Sequence, residues 1–230
     1  MCFVDLTQAF DRVKLEDVVP LLQKREVHPR IITIINKLNT NNYTSIKIAD
    51  KLSDKIPLTT GIRQGDSLSP TLFNIIMDEI ITEVKKVERG YRMGDKKIKA
   101  ICYADDIVLL SESEDNLQRL LYRFEQTAPA FNMLISTSKT QCLTIAKEPL
   151  RCKLAVYGKS MEQVMNFKYL GVTITSSRDL EKEVKAQTLK AFLISGYLRD
   201  IICRNKYMSI DSITRIYSKT HHDLCYRSQS

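Results

Sequence analysis

The sequence predicts an α+β fold. Three observations carry that reading. Apolar segments of strand length and of helical period are mixed along the chain, joined as hairpins and not as strict strand-helix-strand alternation. The segment after Ser69-Pro70 carries apolar residues over a wide helical face, as a helix packed under a sheet requires. The segment Lys97 to Leu110 is strand-like on both sides of Asp105-Asp106, where a tight turn costs Asp little.

Each element has a local cause. Phe3-Val4-Asp5-Leu6 is a short apolar strand at the start of the chain. Lys14 to Arg25 spaces Leu15, Val18, Val19, Leu21 and Leu22 helically, with Pro20 as a strain. Pro29 suits a first helical position, and the helix it opens is expected to bury Ile31, Ile32, Ile34, Ile35 and Leu38. Polar Asn39 to Asn42 break that pattern, and Tyr43 to Ile48 reads as a strand followed by a second near Lys55 to Leu58. Ser69 is the expected cap and Pro70 the first-turn proline of the helix carrying Leu72, Phe73, Ile76, Ile80 and Val84. Ser113 caps a helix through Leu117, Leu120, Leu121 and Phe124. Short strands follow near Gln141 to Ile145, Lys153 to Val156 and Tyr169 to Ile174, and Asp179 to about Tyr217 is helix-rich.

Composition narrows the class of protein. The 230 residues are 43% hydrophobic and 27% charged, enough for a sizeable core, which excludes collagenous, coiled-coil and mucin-like chains. No run approaches the roughly 18 apolar residues of a membrane span, and Met1 to Asp11 lacks the pattern of a secretory signal. An intracellular protein with no membrane partner is expected; the compartment and oligomeric state stay open. The six cysteines form no C-x-x-C pair and read as reduced thiols. Adjacent His221 and His222 point apart and make no metal site with Cys225. The net charge is +8, and Lys85, Lys86, Arg89, Arg92, Lys96, Lys97 and Lys99 crowd one stretch, a footprint suited to a phosphate backbone or to a solvated surface.

Three carboxylates stand out by placement. Asp5 ends an apolar strand, and Asp105-Asp106 lie between apolar strands whose need for burial is expected to draw the pair away from plain solvent. Carboxylates brought together without a counter-charge are relieved by a divalent cation. Mg²⁺ takes one or two carboxylates plus substrate phosphates, and an ion pair about 3.5–4 Å apart serves in-line phosphoryl displacement.

The neighbours of these aspartates carry a resemblance. Phe3-Val4-Asp5-Leu6-Thr7-Gln8-Ala9-Phe10-Asp11 resembles the first palm motif of reverse transcriptases, above all those of non-LTR, LINE-like retrotransposons. Gly61-Ile62-Arg63-Gln64-Gly65-Asp66-Ser67-Leu68-Ser69-Pro70 is similar to the second, and Tyr103-Ala104-Asp105-Asp106 to the third, Y-x-D-D. Ser138-Lys139-Thr140 resembles the fourth, and Phe167-Lys168-Tyr169-Leu170-Gly171 the fifth. Y-x-D-D alone is weak; five motifs in the family's order over residues 3 to 175 are specific.

The resemblance implies a fold, an activity and a set of roles. The fold is a polymerase palm, an antiparallel sheet backed by helices, over residues 1–175, with a partial, helix-rich thumb or connection region over 176–230 that ends in a degenerate tail. The activity is RNA-directed DNA polymerisation, nucleotidyl transfer from a dNTP to the 3′-hydroxyl of a DNA primer on an RNA template. Asp5, Asp105 and Asp106 are the implied catalytic acids and ligands of two Mg²⁺ ions, with Mn²⁺ as the alternative. Phe10 stands where the family places a gate against the 2′-hydroxyl. Arg63, Gln64 and Gly65 match its nucleotide and template contacts, Lys139 its lysine near the triphosphate, and Tyr169, Leu170 and Gly171 its primer grip. Phe10 also reads as a core aromatic and Lys139 as a surface lysine.

The chain departs from the family in two places. It begins two residues ahead of the first motif, so the fingers are expected to be missing and the chain to be a truncated copy or a partial gene product, inactive alone. Ser136 and Thr137 occupy the stretch where the family has Asn, which puts the local turn in question. The alternative readings are a non-catalytic nucleic-acid-binding remnant, served by Lys85 to Lys99, and a chain that folds poorly.

Overall fold

A computed structural model of the chain describes residues 1–40, 42–58, 60–62, 65–146, 148, 150–204, 209, 211–212 and 214–215. Its elements run β1 (Cys2–Val4), α1 (Leu15–Lys24), α2 (Pro29–Asn39), β2 (Asn42–Thr44), β3 (Lys47–Ile48), β4 (Lys51–Leu52) and β5 (Ile56–Leu58). Then come α3 (Ser69–Lys85), β6 (Tyr91–Met93), β7 (Lys96–Ile98), β8 (Ala100–Tyr103), β9 (Asp106–Leu109) and α4 (Glu114–Thr127). The last are β10 (Gln141–Cys142), β11 (Ala155–Val156), β12 (Lys159–Ser160), β13 (Glu162–Gln163), β14 (Asn166–Tyr169), β15 (Val172–Thr175) and α5 (Leu180–Arg204). The class is α+β, and the chain divides into two compact units: Met1–Cys142 with Cys152–Gln163, and Leu143–Arg151 with Val164–Ser230.

The first unit is organised by a sheet in the order β13-β10-β1-β9-β8. All its pairs are antiparallel except β10 with β13, so the sheet is mixed. Strand β1 lies at the centre because Cys2, Phe3 and Val4 are apolar on both faces, and each is buried. It pairs with β9 so that Cys2 faces Leu109 and Val4 faces Ile107. Helices α3 and α4 cover the sheet with Phe73, Ile76, Ile80, Leu120, Leu121 and Phe124, all fully buried. Each such side chain contributes about 1.5–3 kcal/mol on leaving water. Ser113 caps α4 as expected, its hydroxyl accepting from the Asn116 amide at 3.4 Å.

Several expectations need correction. Helix α3 starts at Ser69, so the cap position is Leu68; the turn before it is closed by Asp66, whose Oδ1 accepts from the Leu68 amide at 3.2 Å. Helix α2 buries only Ile35, while Ile31, Ile34 and Leu38 are about half exposed. Its apolar stripe is wider than the surface α1 offers it. Tyr43 to Ile48 is two short strands, because a separate β3–β4 hairpin interrupts the β2–β5 pair. The Gln141 to Ile145 strand shrinks to β10. Pro20 sits inside α1 without ending it.

The second unit holds the β14–β15 hairpin and α5, whose Glu183 Oε2 accepts from the Thr173 amide at 2.8 Å. The segment expected near Tyr169 to Ile174 is therefore two strands around a turn. The predicted helical stretch ends, as far as it is described, at Arg204 with short helical pieces beyond; Tyr217, His221, His222 and Cys225 lie outside the described residues. No helix among the described residues is long and apolar enough to cross a membrane. Cys2, Cys102, Cys142 and Cys152 are free thiols, and burial raises the Cys142 thiol to about 11, so it stays protonated.

Candidate active site

Strand register assembles the carboxylates. Val4 faces Ile107 across the β1–β9 ladder, and one step further along stand Asp5 and Asp106. Side chains alternate between faces, so this next pair shares the face of Phe3 and Val108. Asp105 sits in the two-residue turn between Tyr103 and Asp106, which are themselves paired. That turn needs a left-handed residue, and Ala104 supplies it at φ +52°, a strained conformation for alanine.

The electrostatics register the crowding. Burial raises the Asp106 carboxyl above its ordinary pKa, and the negative charges of Asp105 and Asp5 push the same way. The expectation that the Asp105-Asp106 pair is withdrawn from solvent is overturned: both are exposed, as are Ile101 and Tyr103. Ile101 and Tyr103 lie on β8, the edge strand of the sheet, while Asp105 and Asp106 stand at the turn that ends the β8–β9 ladder. Asp5 is the sheltered member. Its Oδ2 is buried without a hydrogen-bond partner and has Lys139 Nζ at 4.0 Å, an ion pair too long for a hydrogen bond.

The Ser136–Thr140 turn fixes Asp5 from the main chain. The Ser136 amide donates to the Asp5 carbonyl at 2.8 Å, and the Asp5 amide donates to the Thr140 hydroxyl at 3.2 Å. Ser136 therefore closes the turn that its departure from the family put in question. Thr140 is fully buried; it closes the fourth motif, but its pairing with Asp5, 135 residues away, is not legible in the sequence.

Phe10 stacks on Phe73 with centroids 4.5 Å apart and planes at 19°, which holds the ring rigidly. Phe10, Pro70, Tyr103 and Ala104 line one groove of about 740 Å³ between α3 and β8. The loop carrying the second motif is tied to the Phe10 loop by the Ile62 amide donating to the Phe10 carbonyl at 3.1 Å and the Gly61 amide to the Val13 carbonyl at 2.9 Å. Gly61 is the second residue the motif reading did not single out: at φ +91°, any Cβ there would lie 3.1 Å from the Asp11 carbonyl oxygen. Gly65 is also left-handed, at φ +88°, and exposed. Arg63 and Gln64 lie outside the described residues.

Tyr169, Leu170 and Gly171 belong to the second unit, at the β14–β15 turn. Leu170 at φ +48° and Gly171 at φ +87° give both central residues left-handed backbone, as a hairpin twist of this type requires. The Gly171 carbonyl accepts from Gln187 Nε2 at 3.3 Å, fastening the turn to α5.

The donor set suits a hard divalent cation: carboxylate oxygens, one of them buried and unpartnered, on crowded like charges. Among the described residues, no three His, Cys, Asp or Glu side chains converge into a cage. A cation that keeps waters and shares substrate phosphates needs only one or two carboxylates.

Residues 1–174 match the family described as reverse transcriptase (RNA-dependent DNA polymerase). Among curated proteins, the chain is similar to the retrovirus-related Pol polyprotein from type-1 retrotransposable element R2 of Nasonia vitripennis, at 27% identity over 80% of this chain and 19% of that protein. It is similar to the R2 polyprotein of Popillia japonica at 27% identity, over 85% of the chain and 36% of that protein. The RNA-directed DNA polymerase from mobile element jockey of Drosophila melanogaster shares 26% identity over 75% of the chain and 19% of its own length. The chain thus spans between 19% and 36% of the length of these relatives. With the family matching residues 1–174 in one run, and strand register setting Asp5 of one motif beside Asp106 of another, this chain belongs to the reverse transcriptase family.

Proposed function

We propose that residues 1–175 form the palm of an RNA-directed DNA polymerase of the non-LTR retrotransposon kind, and residues 176–230 part of a thumb or connection region. The observation that carries this reading is the strand register that sets Asp5 beside Asp106, with Asp105 next to it in the turn and both carboxylates raising the Asp106 carboxyl. Names of the relatives support the activity, since the jockey protein is called an RNA-directed DNA polymerase. The substrates of the reading are an RNA template, a DNA primer and a dNTP.

Each residue then has a physical task. Asp5 and Asp105 would hold the two Mg²⁺ (or Mn²⁺) ions, with Asp106 as the supporting acid. When bound, the ions would supply activation of the primer hydroxyl and relief of charge on the pyrophosphate leaving group. Lys139, long-paired with Asp5, is free enough to turn its ammonium to the triphosphate. Phe10, locked by Phe73, is a wall under the sugar that a 2′-hydroxyl would strike. Gly65, with Arg63 and Gln64, lets main chain approach the nucleotide and template. Tyr169, Leu170 and Gly171 grip the primer end.

The test is a paired measurement on the purified chain and its Asp105→Asn, Asp106→Asn variant: Mg²⁺ and Mn²⁺ binding by calorimetry, and dNTP incorporation on a primed RNA. The expected result is divalent binding that the variant loses, with weak incorporation by a chain spanning a fraction of its relatives. Equal divalent binding by the two proteins would overturn the reading.

A further inference from the structure

The basic stretch after α3 is folded, and its fold presents charge in a way that composition does not show. Strands β6 and β7 form a hairpin closed at Gly94-Asp95, with Tyr91 opposite Ile98, Arg92 opposite Lys97 and Met93 opposite Lys96. Directly opposed residues share a face with Cβ atoms about 4.5–5.5 Å apart, and like charges so placed repel. Arg92 and Lys97 are such a pair. Among the described residues, neither they nor Lys96 form an ion pair with a carboxylate. Of the nearby acids, Glu83 binds Lys86 and Arg123, Glu112 accepts from the Arg92 main-chain amide at 3.0 Å, and Asp95 stands in the hairpin's own turn. The opposite face exposes Tyr91 and Met93 beside Lys96. Two cations held side by side without an ion pair among the described residues, Arg92 with its Nε on the Gly94 carbonyl at 3.3 Å, and Tyr91 exposed on the other face, fit a polyphosphate backbone.

The hairpin also has a fixed address. Lys99 alone separates β7 from β8, and the Leu110 amide donates to the Lys99 carbonyl at 2.9 Å, so the ladder that carries Asp105 runs on to the base of the hairpin. Lys97 and Asp105 are eight positions apart, at most about 28 Å of extended chain. At about 3.4 Å per nucleotide along one strand, that span is no more than roughly eight nucleotides.

We propose that the β6–β7 hairpin is a second anchor for the primer–template duplex, gripping phosphates no more than about eight nucleotides from the catalytic turn. The proposal rests on the polymerase reading for the identity of the duplex. It is tested by fluorescence anisotropy of the full chain on labelled primer–template duplexes of 5 and 14 base pairs across a salt series. The proteins are wild type, the Arg92→Gln, Lys96→Gln, Lys97→Gln variant, the single Lys97→Gln variant and Asp105→Asn, Asp106→Asn. The wild type should bind the long duplex at least about tenfold more tightly, and its salt slope should fall by about 0.9 for each cation removed. The triple variant should lose the long-duplex advantage. Lys97→Gln, which removes the like-charge opposition and leaves folding intact, should lose one step of slope. An unchanged slope and unchanged length preference in both Gln variants would overturn the anchor. The Asn variant should keep the length preference, so a failed catalytic reading leaves this result standing.

Discussion

The Asp5 amide donates a hydrogen bond to the Thr140 hydroxyl at 3.2 Å, joining two residues 135 positions apart. Together with the Ser136 amide on the Asp5 carbonyl, it pins the main chain on both sides of the most sheltered carboxylate of the site.

Thr140→Val keeps the shape and removes the acceptor, leaving the Asp5 amide short of a partner. Such a loss costs about 1–3 kcal/mol, which for a chain of this size lowers the melting temperature by roughly 3–8 °C. Thr140→Ser retains the hydroxyl and should melt within a degree or two of wild type. Circular dichroism melts of the three proteins decide it; equal melting of Val and Ser would remove Thr140 from the positioning role.

Asp106 gives a pH signature. Its folded pKa is raised, so the folded protein binds this proton more tightly than the unfolded chain. The cost is absent below the ordinary carboxylate range, where both states are protonated, and appears as pH rises through the folded pKa. Asp106→Asn should therefore melt higher than wild type at pH 7, by roughly 1–3 °C given the exposure of the group. The two proteins should converge near pH 3. A gap that persists at low pH would mean the effect is not charge repulsion.

Divalent ions should supply the same relief. Millimolar Mg²⁺ is expected to raise the melting temperature of the wild type, while Asp105→Asn, Asp106→Asn shows no shift beyond ionic strength. A matched shift in both proteins at constant ionic strength would place the cation elsewhere.

Two glycines separate backbone strain from crowding. Gly61→Ala and Gly65→Ala both force a side chain into left-handed backbone, at about 1–2 kcal/mol each. Only at Gly61 does the new Cβ also meet main chain, 3.1 Å from the Asp11 carbonyl oxygen; at Gly65 nothing lies within 4 Å. Urea unfolding should rank Gly61→Ala as the more destabilised. The reverse order would sink this account of the loop.

Leu170 occupies a turn position that suits Asn. Leu170→Asn should raise stability by about 0.5–1 kcal/mol because Asn tolerates left-handed backbone. Should the leucine instead be kept for gripping a primer, the same variant bound to primer–template will show a faster dissociation rate. Chemical denaturation and stopped-flow release measure the two effects separately.

The sequence by itself determined the α+β class and the helices from Leu15, Pro29, Ser69 and Glu114. These are local properties: apolar period, capping chemistry and motif spacing are written in neighbouring residues. Helix ends and exposure were decided by tertiary structure. Asp66 closes the turn ahead of α3 and so displaces the cap from Ser69, and the β8–β9 turn at the end of the ladder leaves Asp105 and Asp106 in solvent. The half-exposed Ile31, Ile34 and Leu38 show the same limit, since a helical stripe says which face is apolar and not what is there to cover it. The site itself depends on long-range pairing. Only the β1–β9 register sets Asp5 beside Asp106, and only the closure of the Ser136–Thr140 turn onto Asp5 gives Thr140 a purpose. A side chain's neighbours across a sheet are fixed by which strands pair and in what register, and that choice minimises the free energy of the whole core, so it is not held in any one segment.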